Sequence, residues 1–190
     1  MIHTATADQA LQDFLLHPEG SVLEISGEDD AAIRSYLFPR LFSPLKILYV
    51  DTSHLLTNYV GRIISSQNTI YCAQSDFNAI LELFQIVEKH ELDLVLIDTY
   101  YNIQNKPKSI TKLLSSFRIK AIQKNFNLIY LNQMMMNRSY PDKSSESQIP
   151  VYDRLFQRTA SLRLQTYKNM SEDIKARIRQ NKGQFGETYT

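Results

Sequence analysis

The amino-acid sequence predicts an α/β domain: a mostly parallel sheet flanked by helices, with a C-terminal antiparallel hairpin. Three observations predict it. Compact apolar runs of strand length recur at 22–25, 47–50, 92–97 and 128–131, and near-continuous hydrophobicity is the mark of parallel strands buried on both faces. Segments with apolar residues at helical spacing lie between those runs, as a sheet covered on both sides requires. Beyond residue 150, apolar and polar residues alternate at 161–166 (Leu162, Leu164) and 175–179 (Ala176, Ile178), the period of half-buried antiparallel strands.

In chain order, residues 8–16 carry Ala10, Leu11, Phe14 and Leu15 on one stripe, a short amphipathic helix ended by Pro18 and Gly20. Gly27 follows the first strand almost at once, and a helix is predicted over 31–41 until Pro39 and Pro44 break it. Asp51 closes the second strand. Ile80, Leu81, Phe84 and Val87 share a face of a helix over 77–89, and Asp98 ends the run 92–97. Ser109 is the expected cap of a helix whose Ile110, Leu113, Leu114, Phe117 and Ala121 face the core. From 137 to 148 the texture is polar, with Ser144, Ser145 and Ser147, the composition of a mobile loop. The expected organisation is a single domain over 1–190: an N-terminal helix (1–17), a core (18–134), a flexible loop (135–150) and C-terminal strands (151–190).

Composition bounds the function. A chain of 190 residues, 43% hydrophobic and 22% charged, suits one globular domain with a sizeable core. No apolar run approaches the ~18–20 residues that cross a bilayer, so no membrane association is expected. Residues 1–16 lack the basic start and apolar stretch of a secretion signal. Cys72 is the single cysteine, so intramolecular disulfides are impossible. With only His3, His17, His54 and His90 besides, no metal-ligand spacing arises, and neither a metal nor another cofactor is expected. Charge is uneven: residues 1–100 hold 5 Lys/Arg against 14 Asp/Glu, a balance of −9, and residues 101–190 hold 16 against 6, a balance of +10. Such a bias fits two solvated faces that differ by chance, or a dipolar molecule with one face suited to an anionic polymer.

Ligands of open α/β sheets sit at the carboxyl ends of the strands, so the motifs there carry the argument. The first strand runs into Gly27-Glu28-Asp29-Asp30-Ala31-Ala32-Ile33-Arg34. A working phosphate loop reads G-x-x-x-x-G-K-[ST], its lysine on the outer phosphates and its hydroxyl on magnesium. Here Gly27 holds the first glycine position, Ala32 the second, Ile33 that of the lysine and Arg34 that of the hydroxyl. Three carboxylates would crowd any triphosphate, and Arg34, though cationic, cannot coordinate magnesium. The plain alternative is a strand followed by an acidic turn that starts a helix.

Four elements in order resemble the RecA/RadA recombinase superfamily, of P-loop NTPase type. Lys46-Ile47-Leu48-Tyr49-Val50-Asp51-Thr52 resembles its second core strand, with Ser53 where the family carries the glutamate that polarises water. Leu92-Asp93-Leu94-Val95-Leu96-Ile97-Asp98-Thr99 resembles the Walker B strand, with Asp98 as the magnesium-side carboxylate. Leu128-Ile129-Tyr130-Leu131-Asn132-Gln133 resembles the strand ending in Asn-Gln, whose amide senses nucleotide and opens the second DNA-binding loop. Ala160-Ser161-Leu162-Arg163-Leu164 and Lys175-Ala176-Arg177-Ile178-Arg179 resemble the two strands that follow. The resemblance covers roughly 18–187 and is nearest to small divergent eukaryotic recombinase paralogues, including those of Shu-type complexes.

The resemblance implies a RecA-like fold with a degenerate nucleotide site formed by Gly27, Ile33, Arg34, Ser53, Asp98 and Gln133. With lysine, hydroxyl and glutamate replaced, ATP hydrolysis should lose several powers of ten in rate; Asp98 and Gln133 would remain as a strand-end cap and a loop anchor. No clear Phe-x-x-Ala sequence is present, since Phe77 is followed by Ile80, and the chain starts almost at the first core strand. The expectation is a subunit or filament-end cap rather than a self-assembling filament former.

DNA contact is expected in three places. The loop after Asp98 carries Tyr100, Tyr101, Lys106 and Lys108, and tyrosine beside lysine suits stacked bases and phosphates. The loop after Gln133 carries Arg138, Tyr140 and Lys143, diluted by Asp142 and Glu146. The tail carries Arg177, Arg179 and Lys182, the first two on one strand face. An ordinary solvated loop weighs equally for the first. Met134, Met135 and Met136 fill core gaps or meet a partner; Leu11, Phe14, Leu15 and Leu16 cover the sheet or dock outward. The resulting expectation is a non-catalytic recombinase paralogue in a DNA-repair complex, nuclear in a eukaryote and otherwise cytoplasmic. Its partners would be another paralogue or Shu-type subunit, the recombinase filament, and single-stranded or forked DNA. The alternatives are a protein-binding regulator without a DNA role, and an ATPase completed in trans.

Overall fold

The computed structural model describes residues 6–41, 45–53, 68–98, 107–136, 148–151, 153–169, 171 and 173–181. The elements are α1 (Ala7–Leu16), β1 (Val22–Gly27), α2 (Asp30–Leu37) with a 3-10 turn (Phe38–Arg40), β2 (Ile47–Asp51), β3 (Thr69–Ala73), α3 (Phe77–Glu82), α4 (Phe84–Lys89) and β4 (Leu94–Asp98). They continue as α5 (Pro107–Lys124), β5 (Asn127–Met136), β6 (Gln148–Pro150), α6 (Asp153–Thr159), β7 (Leu162–Lys168) and β8 (Ile174–Asn181). Seven strands line up as β3-β2-β4-β5-β1-β7-β8, and β6 pairs with the far end of β5. Neighbours from β3 to β7 run parallel, whereas β7–β8 and β5–β6 are antiparallel. The α/β class, the mostly parallel flanked sheet and the terminal hairpin are therefore as the sequence predicts. Among the described residues, no helix is long and apolar enough to cross a membrane.

Two apolar layers hold the sheet. One joins Val22, Leu48, Val95, Ile97, Leu128 and Tyr130 to Ile80, Leu113, Phe117 and Phe156 of α3, α5 and α6. The other joins Leu23, Ile25, Tyr49, Leu96, Ile129 and Leu164 to Leu11 and Phe14 of α1 and Ile33 and Tyr36 of α2. Successive strand residues alternate between these layers, which is why β2, β4 and the first part of β5 read as near-continuous apolar runs. Each large side chain taken fully from water contributes roughly 1.5–3 kcal/mol. Leu11, Phe14 and Leu15 cover the sheet, while Leu16 is half exposed; Met134 is buried in the manner of a gap filler.

Side-chain hydrogen bonds set the entries and exits. Asp76 accepts from the backbone N–H groups of Asn78 and Ala79 at 2.9 and 3.0 Å and caps α3. α5 ends at Asn125 in the left-handed region (φ 56°), a conformation that asparagine tolerates. Gly20 (φ 75°) lies against α5, where an added Cβ would stand 2.7 Å from the Ile122 Cα. Asn127, buried at the start of β5, accepts from the N–H groups of Glu19 and Ser21 and donates to the carbonyls of Phe14 and His17. One side chain thus fixes the whole α1–β1 connection.

Several boundaries differ from the sequence reading. The helix expected over 77–89 is two short ones interrupted at Leu83. Ser109 lies inside α5, which begins at Pro107 rather than being capped there. β5 runs past Gln133 to Met136 and pairs with β6, so residues 135, 136 and 148–150 belong to strands rather than to a loop. β3 and α6 carried no sequence expectation.

Candidate functional site

The carboxyl ends of β1, β5, β4 and β2 stand side by side, in an order fixed by parallel pairing. Gly27 is opposite Gln133, and Asp51 is opposite Asp98. The four motifs that resemble a nucleotide site are therefore brought to one edge of the sheet.

The phosphate-loop segment is short. Only Glu28 lies between β1 and Asp29, the N-cap residue of α2. Asp29 accepts from the Ala31 N–H at 2.9 Å through its side chain and from the Ile33 N–H at 3.1 Å through its carbonyl. A helix N-terminus attracts anions because its first N–H groups are unpaired and its dipole is positive there. Here the chain's own carboxylate takes that position. Helix begins at Asp30, so Ile33 and Arg34 are already in its first turn and a half. Ile33 is buried between β1 and α2, away from the solvent that a phosphate-binding lysine would face. Gly27 serves close packing: an added Cβ would overlap the Thr166 Oγ1 of β7 and approach the Ile33 Cγ1 to 2.9 Å. Its backbone has no positive φ, so crowding by β7 and α2, rather than a loop conformation, demands glycine.

Arg34 reaches across the strand ends to Asp98. Its Nε donates to Oδ2 at 2.8 Å and an Nη to Oδ1 at 3.0 Å, the two-pronged match of guanidinium and carboxylate. Asp98 is buried and the Arg34 side chain is only 11% exposed. Burial opposes charge on Arg34, but the hydrogen bonds and attraction of Asp98 outweigh it and raise its pKa above the ordinary arginine value. The Tyr49 hydroxyl donates to the same Asp98 oxygen in a short hydrogen bond. Burial, then Asp98, raises the Tyr49 pKa far above the usual phenol range. In the arrangement that the motifs resemble, the carboxylate at Asp98 faces magnesium; here a guanidinium on α2 occupies both of its oxygens.

The neighbouring strand end is laced in the same way. Asp51, fully buried, accepts from the Ser53 N–H (2.9 Å), the Ser53 hydroxyl (2.7 Å) and the Tyr71 hydroxyl (2.9 Å). The Thr52 hydroxyl donates to the Asp98 carbonyl at 2.8 Å. Ser53, in the glutamate position, turns back onto its own strand. Gln133 is half-buried, and its carbonyl accepts from the Val151 N–H at 2.9 Å; it lies within β5 rather than opening a loop.

A second polar cluster, on the opposite face of the sheet, escaped sequence reasoning. The Arg163 Nε donates to Glu24 at 2.5 Å and an Nη to Asp153 at 2.6 Å, while the Asn132 amide donates to Glu24 at 2.7 Å. Burial pushes the Glu24 carboxyl above the usual range, against the pull of Arg163 and Asn132. The signal was present as one acid and one base, each alone in a buried apolar strand: charges so placed need each other.

The expected DNA residues divide unevenly. Tyr100, Tyr101, Lys106, Arg138, Tyr140, Lys143 and Lys182 lie outside the described residues, and Lys108 falls in the first turn of α5. Arg177 and Arg179 are exposed on β8, remote in the sheet order from Asp98 on β4. Compared with known proteins, the chain matches no protein-family model and no curated protein sequence.

Proposed function

We propose that this chain is a non-catalytic member of the RecA/RadA-type recombinase superfamily, working as a subunit of a DNA-repair complex. In this reading it pairs with another paralogue or Shu-type subunit and promotes or stabilises recombinase filaments on single-stranded DNA. The observation that carries the reading is the ion pair of Arg34 with Asp98. It stands where the resembling motifs converge, and it supplies from within the chain the positive charge that a magnesium ion would bring to Asp98. Asp29 at the helix N-terminus and Ile33 in the core support the same reading. A module so closed keeps its shape without ligand, which suits a scaffold better than a motor. Completion of an ATPase in trans is the weaker alternative, because a partner's residues would first have to break a buried two-pronged pair.

The test is to recover the complex from native cells and titrate it with single-stranded DNA at two salt concentrations. The reading expects a recombination protein in the complex and binding that weakens linearly in the logarithm of salt. A partner unrelated to recombination, with no binding at low salt, would overturn it.

A further inference from the structure

The outer strands of the sheet carry an arrangement separate from the Arg34–Asp98 site. β8 alternates: Ile174, Ala176 and Ile178 turn inward onto the core, while Lys175, Arg177 and Arg179 are exposed on the other face. Tyr167 of β7 lies directly opposite Lys175 in the antiparallel ladder, and Gln165 lies opposite Arg177. Direct partners share a face, so one surface presents a tyrosine ring, 42% exposed, beside a row of cations. Arg177 is held in place by two hydrogen bonds donated to the Gln165 side-chain Oε1, at 3.1 and 2.9 Å. Arg179 stands at a bulge in the pairing and leans towards the Met134 sulfur, 4.0 Å away. Partial burial, then the charge of Arg163, lowers its pKa against the attraction of Asp153 and Glu24. Among the described residues, no carboxylate comes within ion-pair distance of Arg177 or Arg179.

Two guanidiniums without an ion-pair partner among the described residues, one pre-oriented and one partly desolvated beside Arg163, favour an anion. Same-face residues on a strand recur every ~6.7 Å, so the cations form a track rather than a point, and a polymer of regularly spaced charges fits it. An exposed aromatic ring at one end of a cationic row is the pairing by which sequence-tolerant proteins hold single strands: bases stack on the ring and phosphates meet the cations. A duplex hides its bases and would leave Tyr167 unused. We propose that the β7–β8 face binds single-stranded nucleic acid, with Tyr167 stacking a base and Lys175, Arg177 and Arg179 contacting successive phosphates. This rests on the proposed DNA role and gives that role a location on the described surface; DNA and RNA share the chemistry.

The test uses the full chain and fluorescence anisotropy with a labelled thymidine oligomer, a uridine oligomer and a duplex of equal length, over a salt series. Tyr167→Ala should weaken single-strand binding roughly 5- to 150-fold with little change in salt slope, and Tyr167→Phe should retain it. Arg177→Gln with Arg179→Gln should reduce the salt slope for a single strand by about 1.4. Uridine and thymidine oligomers binding alike would mark the site as blind to the sugar, and a preference for either would name its source. Single-strand binding that survives both Tyr167→Ala and the double arginine substitution would overturn this location while leaving the DNA role standing. Absence of binding by the full chain and by its native complex at low salt would overturn both, whereas duplex binding tighter than single-strand binding would overturn the single-strand assignment of this face.

Discussion

Arg34 and Asp98, 64 residues apart in sequence, meet through two hydrogen bonds at the carboxyl end of the sheet. The pair ties α2 to β4 across the strand ends that carry the motifs. Removing one partner of a buried ion pair leaves an uncompensated charge and costs about 3–5 kcal/mol. Arg34→Met should therefore lower stability to denaturant by that order. Arg34→Met combined with Asp98→Asn removes both charges and keeps a partner for the Tyr49 hydroxyl, so it should lose much less than the sum of the single losses. Urea unfolding of the four proteins in the cycle measures the difference.

Gly27 is predicted to be irreplaceable for a packing reason. Gly27→Ala sets a methyl group against Thr166 and Ile33, and overpacking of this kind costs about 1–3 kcal/mol. Thr166→Ala should recover part of the loss, because it removes the oxygen in the way. A glycine kept for phosphate binding would show no such rescue. Thermal melts of the single and double variants check it.

Asn127 joins four backbone groups of the α1–β1 connection. At roughly 0.5–1.5 kcal/mol for each of four hydrogen bonds, Asn127→Ala should cost about 2–6 kcal/mol. Asn127→Asp should be comparably harmful, since the oxygen that replaces the amide nitrogen would face the Phe14 and His17 carbonyls. Hydrogen exchange should show α1 losing protection before the central strands do.

α1 is also fastened by Asp8, which accepts from the Tyr36 hydroxyl at 2.8 Å and the Arg40 guanidinium at 3.1 Å. Partial burial would raise its pKa, but the hydrogen bonds of Arg40 and Tyr36 prevail and hold it below the ordinary aspartate value. A depressed carboxyl pKa adds stability above its unfolded value of 3.8. That increment disappears as pH falls through the folded value. Because Asp8 is largely exposed, the increment should be under about 1 kcal/mol. Asp8→Asn should remove this part of the acid dependence, read from unfolding free energies above and below pH 3.8.

Much of the sheet was legible because burial on both faces leaves little room for polar residues: β1, β2, β4 and β5 are apolar runs that end where Gly27, Asp51 and Asp98 begin the site. β3 was not, because it is an edge strand, half-buried throughout, and its short run Ile70-Tyr71-Cys72-Ala73 ends in no motif that marks it. The break at Leu83 carries no glycine or proline to announce it. The strand-end residues of the site were legible from their order along the chain. Their connections were not: Arg34 reads as a failed magnesium ligand until it is seen holding Asp98, and Tyr49 reads as a strand residue until its hydroxyl is placed. Nothing local in a sequence records a contact across 64 residues. Glu24 and Arg163, 139 residues apart, make the same point.

The most direct test of the proposal that Arg34 closes a former nucleotide site from within is the melting temperature of the full chain with and without millimolar magnesium-ATP. Ligand at 100 times its Kd would stabilise the fold by about 2.7 kcal/mol, a shift of several degrees for a domain of this size. No shift is expected, in the wild type and in Asp98→Asn alike. An upward shift of several degrees that Asp98→Asn abolishes would contradict the proposal.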